Sequence, residues 1–543
     1  MFKKTITNPG SDNLATTIKV IGLITFTLWI AHFLHFRQLG LYEEDYTIAS
    51  RALGQDWSFL PQAFQPLLTW VHSRPIGWSL FFLLTFLGDH LGGISGIHIV
   101  NFFLISCNAY LCYRVLRFVT LPSAAIAGAL FYCLFPLDTV TKHQAASLGF
   151  GFQAGLGFAM AAILAYLMGK KWFAYGLIFG SLLTYQIPFL LFSAAPLLPL
   201  RKWNRAVVKE CLRQVLIMVG MIATVTIIRK MTNAIPSYQD AESVLQNSSL
   251  RTVALSVTTA PLLGTLITVI SLVRAPYQSL ISLIRGEYSW VIVVVYVLVT
   301  LTVLTTIKDA PLHEVGSILD EELVDCNVDQ PLSTKNIWLK KSIQQILYPT
   351  HARLILLGVI FILLSYPLVA LTYYFVPILQ MSSLLLPPIA DILIFVSHHL
   401  SSPLHSIHLL TSVDGDILSK LSKISNSATL KSPSLFYGAN SSTYHAAAVF
   451  GGSVLFAGLY AALLSPWQSH RRRMIASILL SAYLSLLVGY AFLVQIDSVK
   501  FWQYERAFWS QFVKLCPDLD SGPVILVDIG HPDYRLPGSQ QFS

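Results

Sequence analysis

The chain has 543 residues, of which 54% are hydrophobic and only 12% charged, with a mean hydropathy of +0.62 and a formal net charge of +9. Soluble domains carry about 25% charged residues, so this composition excludes a soluble globular protein and points to an all-α polytopic membrane protein. The positive balance is what basic residues at cytoplasmic helix ends produce, and it implies a lipid bilayer and no nucleic acid as partner. Cys107, Cys112, Cys133, Cys211, Cys326 and Cys516 are scattered, mostly in apolar runs, with no CxxC or Cys/His cluster. Neither a disulfide framework nor a zinc site is indicated, and the cofactor is left open: a divalent metal is neither indicated nor excluded by the sequence.

Lys3, Lys4 and Lys19 surround the start of an apolar run at residues 18–36. The run is long and lacks a small-residue cleavage site, so it reads as an uncleaved first span with a cytoplasmic N-terminus. A span takes about 20 apolar residues. Further spans are expected at residues 97–117, 121–138, 148–168, 211–231, 288–306, 353–376, 446–465 and 474–495. Residues 172–200 are too long for one span and are interrupted by Tyr185, Gln186 and Pro188, which predicts two short helices in a hairpin. About eleven spans follow from this pattern.

The segment "IGWSLFFLLTFL", residues 76–87, decides the topology. As a helix it reaches only about 18 Å, against a hydrocarbon core of about 30 Å. Laid along the outer surface, it lets Arg114/Arg117, Lys170/Lys171, the basic stretch 201–213 and His470–Arg473 share the side of Lys3 and Lys4, as the positive-inside rule expects. The outside then receives loop 37–96 with interface helices, loop 139–147, loop 232–287 with interface helices flanking a polar insertion, loop 377–445 and a tail from residue 496. Residues 307–352 form an inner connector. The tail carries "PVILVDIG", residues 523–530, which reads as one β-strand. No internal repeat is evident.

The first outer loop opens with "EEDY", so that Glu43, Glu44 and Asp45 stand where the chain has just left the bilayer. Short amphipathic pieces at residues 48–59 and 62–72 follow, with Trp57, Phe59, Phe64 and Trp70 suited to the interface. Then comes "HSRPIGW", with Arg74 before the short apolar helix and Asp89 and His90 at its end. Carboxylates and a guanidinium beside lipid headgroups suit transfer of a sugar from a polyprenyl phosphate. A carboxylate serves as general base for an acceptor hydroxyl, and the planar Arg fork holds phosphate oxygens.

In its order of elements over about residues 14–200, the chain resembles the GT-C superfamily of integral-membrane glycosyltransferases, which includes protein O-mannosyltransferases and the lipid A aminoarabinose transferase. "EEDY" looks like that family's acidic motif, and "SRPIGW" is similar to the Lys/Arg-Pro step of the aminoarabinose branch. The resemblance implies a catalytic transmembrane module over residues 1–231, the outer loop 232–287, further spans over 288–495 and an outer tail over 496–543. It implies transfer from a polyprenyl-phosphate sugar donor to a lipid, glycan or protein acceptor outside, by an inverting displacement. Asp45 is then the first choice for base and Glu44 the second, with Glu43 a spectator. Arg74 binds the donor phosphate. Ser73 stands where the aminoarabinose branch carries an acidic residue, so a metal site built on that residue does not transfer.

The loop "DTVTKHQ", residues 138–144, brings Asp138, Lys142 and His143 to the same outer face; Lys142 and His143 are candidate partners of the donor phosphate, against the plainer reading of a polar turn. Tyr185 and Gln186 read as a helix break or an interhelical hydrogen bond. In "HHLSSPLHSIH", residues 398–408, the spacing does not put three histidines on one helical face. "FWQYERAFWSQF", residues 501–512, reads as an amphipathic packing helix. The rival classes are a transporter or flippase of lipid-linked sugars, a polysaccharide polymerase or ligase, and a noncatalytic scaffold.

Overall fold

A computed structural model describes residues 14–42, 45–70, 74–199, 205–232, 250–306, 350–367, 445–464 and 470–515. The expected strand at 523–530, the histidine-rich stretch 398–408 and the connector 307–349 lie outside the described residues. Among the described residues regular structure is helical throughout. Six helices are long and apolar enough to cross a membrane by length and composition, and five shorter apolar helices of 10–17 residues accompany them.

The helices are α1 (Leu14–Leu28, prolonged by a π turn Trp29–Phe33), α2 (Asp45–Ala52), α3 (Leu60–Thr69), α4 (Pro75–Arg117), α5 (Pro122–Leu134) and α6 (Phe150–Leu167, opened by a π turn Ala145–Gly149). Then come α7 (Lys171–Thr184), a 3₁₀ segment Ile187–Leu197, α8 (Arg205–Met231), α9 (Leu250–Ile284), α10 (Trp290–Thr306), α11 (Thr350–Ser365), α12 (Val449–Leu464) and α13 (His470–Leu515). Every residue of α5 is buried. A helix apolar all round belongs at the centre of its bundle, and α5 is enclosed by α1, α4, α12 and α13. By contrast α8 leaves Val208, Leu212, Val215, Leu216 and Val219 exposed, the dress of a lipid-facing helix.

Helix α4 is two helices. Gly92 and Gly93 have non-helical backbone, and Gly93 sits at φ 63°, the left-handed region that glycine adopts without a Cβ penalty. The chain folds back so tightly there that a Cβ on Gly88 would overlap Ile97. The first arm therefore covers residues 75–91, about 25 Å of helix, and not the twelve residues expected. Gly77 packs on Thr184, next to Tyr185, which packs on Gly155; Phe81 covers Gly151; and Phe86 joins Ile97, Ala145 and Ala146 in one apolar cluster. These contacts climb α6 from its middle to its start as the arm runs forward. The arm consequently stands antiparallel to α6, which corrects the expectation of a helix lying flat.

The expected hairpin at 172–200 is present. Helix α7 ends where Tyr185 turns extended, and the 3₁₀ segment returns so that Phe192 meets both Tyr166 and Tyr175. A second correction concerns loop 232–287, where the expected interface helices are replaced by one 35-residue helix, α9, with Pro261 and Pro276 inside it. Its stretch Ala260–Ile284 is itself long and apolar enough to cross a membrane. Likewise the amphipathic piece 501–512 is no separate helix but the C-terminal part of the 46-residue α13.

Asn101 meets Gly149 and Asn108 meets Gly157, so the second arm of α4 runs parallel to α6. Phe33 and Trp29 meet Phe102, so the last turns of α1 lie against the first half of that arm. Because the second arm and α6 run in parallel, Arg114 and Arg117 at the end of one and Lys170 and Lys171 just past the end of the other gather at one end of the bundle. Helix α8 starts there too, with Lys171 Nζ 2.7 Å and Arg213 3.0 Å from Glu210. The opposite end carries the acid loop.

Candidate functional site

Glu43 and Glu44 lie outside the described residues. Asp45 opens α2 and is fully buried at 0% exposure. Its Oδ1 accepts the backbone N–H of Ser147 at 2.8 Å and the Ser147 hydroxyl at 2.7 Å, and Oδ2 lies 3.4 Å from the Tyr42 amide. Ser147 belongs to the π turn that opens α6, where helical N–H groups lack intrahelical acceptors and the helix dipole favours negative charge. Asp45 thus pins the acid loop to the start of α6.

Helix α13 clamps the same loop from the other side. The Tyr42 hydroxyl donates to the Ser498 carbonyl at 3.0 Å, the Tyr46 hydroxyl donates to Glu505 Oε2 at 3.0 Å, and the Trp502 ring covers Gly40. Burial first, with Glu505 and Asp45 adding to it, raises both phenols above the usual tyrosine range. Both tyrosines therefore remain protonated donors. Asp89, at the end of the first arm of α4, accepts the Gly54 amide at 2.8 Å and so tethers the end of α2.

Residues 135–147 form a buried polar knot. Lys142 Nζ lies 3.2 Å from Asp138 Oδ2 and also donates to the Asp138 carbonyl, with both side chains about 1% exposed. Asp138 Oδ1 accepts the Thr141 hydroxyl at 2.6 Å. Gln153 Nε2 donates to Thr141 Oγ1 at 2.9 Å, while its Oε1 accepts Tyr132 at 2.8 Å and Asn108 at 2.9 Å. The Asn101 amide holds the Thr141 and Lys142 carbonyls at 3.0 and 3.3 Å. Such closure is what burial of a charge demands. It also means that the Lys142 ammonium is spent on Asp138.

His143 is buried beside this knot, and its ring nitrogens have no hydrogen-bond partner among the described residues. Burial, then His98 and Lys142, push its imidazole down to about 3, so it is neutral at ordinary pH. Its ring meets that of His32 at 5.9 Å. His32 Nε2–H donates to the Cys133 carbonyl at 3.1 Å, and His98 Nε2–H donates to the Gly40 carbonyl at 2.9 Å. Among the described residues no group of three or more His, Cys, Asp or Glu is arranged to hold a metal.

Arg74 is differently placed. It is half-buried just before Pro75, with its guanidinium carbon 4.6 Å from the centre of the Tyr185 ring. No hydrogen bond or carboxylate meets it among the described residues. Tyr185 is 2% exposed, wedged against Gly155 and edge-on to Phe152 at 5.4 Å. From Ser147, where Asp45 docks, to Gly155 is eight residues, about 12 Å along α6.

The structure therefore brings Asp45, Asp138, Lys142 and His143 together at the start of α6 and sets Arg74 halfway along it. Sequence reasoning missed Ser147, Gln153, Asn101, Asn108, His98 and His32 as parts of this region. Each is a polar residue inside an apolar run, which was the available signal. No protein-family model, no curated protein and no solved structure matches the chain.

Proposed function

We propose that the chain is a membrane glycosyltransferase of the GT-C kind, moving a sugar from a polyprenyl-phosphate donor to a lipid, glycan or protein acceptor at the extracytoplasmic face. The observation that carries this reading is Arg74. A half-buried guanidinium with no protein acceptor in its described surroundings, held among apolar helices, is suited to an anionic headgroup. The acid loop docks on α6 at Ser147 and the ring under Arg74 at Gly155, about 12 Å apart along that helix, so both groups are set on one element.

In the proposed reaction the acceptor oxygen bonds to the anomeric carbon as the bond from that carbon to the phosphate oxygen breaks, with inversion. The acceptor proton passes to a carboxylate of the acid loop, and the electron pair leaves with the phosphate, whose developing charge Arg74 stabilises. Asp45 is engaged by Ser147, so we assign the base role to Glu44 ahead of Asp45 and give Asp45 the task of fixing the motif on α6. Lys142, engaged by Asp138, is left out of the phosphate site, and His143 is left out with it.

One observation favours the transporter reading: two helical hairpins, residues 75–117 and 171–197, meet halfway along α6, and transporters build substrate sites from broken helices at mid-depth. Both readings meet the same test. Purified chain in detergent is given a radiolabelled polyprenyl-phosphate sugar and a lysate-derived acceptor fraction. Sugar release that is lost in Glu44→Gln and Arg74→Ala supports transfer. Full release in both variants removes it, and movement of intact donor across sealed vesicles without cleavage selects the transporter.

A further inference from the structure

Arg74 comes directly before a proline, and the described contact of its guanidinium is with the Tyr185 ring. Tyr185 is at the tip of the opposite hairpin, where the chain leaves the helix at φ −152°, ψ 121°. Its ring meets the Phe152 edge, its Cβ and backbone are packed on Gly155, and the preceding Thr184 carbonyl is closely approached by Gly77. A Cβ at Gly77 would overlap that carbonyl. Hence the two hairpins can approach closely enough for the guanidinium to lie on the ring face, 4.6 Å from its centre.

We propose that Tyr185 is a positioning residue for Arg74: its ring face holds the guanidinium at the junction of the two hairpins, with the N–H edge turned free for the oxygens of an anionic lipid headgroup. The inference rests on the reading of Arg74 as the phosphate-binding cation. Stacking on a ring leaves the donors of guanidinium in its plane unspent, whereas a carboxylate partner would consume them. It also fixes the long side chain before the ligand arrives, so less freedom is lost on binding. The hydroxyl of Tyr185 has no part in this, and phenylalanine is expected to serve.

The test is equilibrium binding of undecaprenyl monophosphate and of uncharged undecaprenol to the full chain in detergent, with thermal melts as a check on folding. Tyr185→Leu is expected to weaken monophosphate binding roughly three- to thirty-fold, the range of a cation–π contact. It should leave undecaprenol unchanged. Tyr185→Phe should bind the monophosphate like the parent, and Tyr185→Leu added to Arg74→Ala should cost nothing further. If Leu at this position misfolds, Tyr185→Met fills similar volume with a flexible chain and carries the same expectation. Equal weakening for both lipids, no weakening for either, or full additivity with Arg74→Ala would overturn the positioning role while leaving Arg74 in place. Parent-like monophosphate binding by Arg74→Ala would instead remove the phosphate reading on which it rests.

Discussion

At the start of α6, Lys142 is enclosed and its ammonium is met by Asp138, while halfway along the same helix Arg74 keeps a half-buried guanidinium on the Tyr185 ring. Both are cations held among apolar helices on one chain segment or its neighbour. A charge removed wholly from water has to be answered by protein groups, because leaving it bare costs several kcal/mol. A charge that keeps part of its hydration can wait for a partner from outside. Lys142 belongs to the scaffold on this measure, and Arg74 is the cation assigned to the ligand in the proposed function.

The sharpest break of that contrast comes from Lys142→Met. It leaves Asp138 buried and unpaired, and is expected to cost about 3–5 kcal/mol, read as a large fall in Tm of the detergent-solubilised chain. Adding Asp138→Leu should recover most of the loss, since an apolar pair of similar volume is close to neutral. A Lys142→Met chain with unchanged Tm would place Lys142 among the ligand-facing groups after all. Next in size, Arg74→Ala should move Tm little but lower sugar release about a hundredfold, equivalent to about 2.7 kcal/mol of transition-state stabilisation. A large fall in Tm with release in proportion to folded protein would make Arg74 structural.

His143 sharpens the scaffold side through pH. Its folded pKa of about 3 lies below the ordinary 6.5, so the unfolded chain binds the proton more readily across that interval. Stability contributed by this group is present above about pH 6.5 and is lost progressively as pH falls towards 3. His143→Gln should flatten that part of a Tm-against-pH curve; an unchanged slope would show that His143 does not carry it. The smallest effect is expected at the clamp. Tyr46→Phe removes one hydrogen bond to Glu505 and should cost about 1 kcal/mol, with limited proteolysis of the acid loop accelerated slightly. Proteolysis unchanged in rate would mean that the bond does not restrain the loop.

Much of this architecture was legible because apolar run length is a strong signal and the basic residues cluster. The break at Tyr185 was legible because Gln186 and Pro188 cannot continue an apolar helix comfortably. The first arm of α4 was not. Its sequence breaks apolarity at Asp89 and His90, yet those residues are still helical, and the real turn is set by Gly92 and Gly93. Counting apolar residues gave a length too short to stand against α6. Interface pieces were expected in loop 232–287 to keep the basic residues downstream on one side, whereas this stretch forms one long helix that contains Pro261 and Pro276. At the candidate site Arg74 and the acid motif could be named from residue type, whereas the engagement of Lys142 by Asp138 and of Asp45 by Ser147 depends on contacts that no local pattern encodes.

The clamp on the acid loop has a consequence for biosynthesis. Tyr42 and Tyr46 find their partners 456 and 459 positions further on. A ribosome adding about 5–20 residues per second therefore needs roughly half a minute or more before the second jaw exists. Until Glu505 leaves the exit tunnel, the nascent polypeptide can fasten this loop from the α6 side alone, through Asp45 and Ser147, and the insertion machinery handles an immature protein gripped by a single jaw.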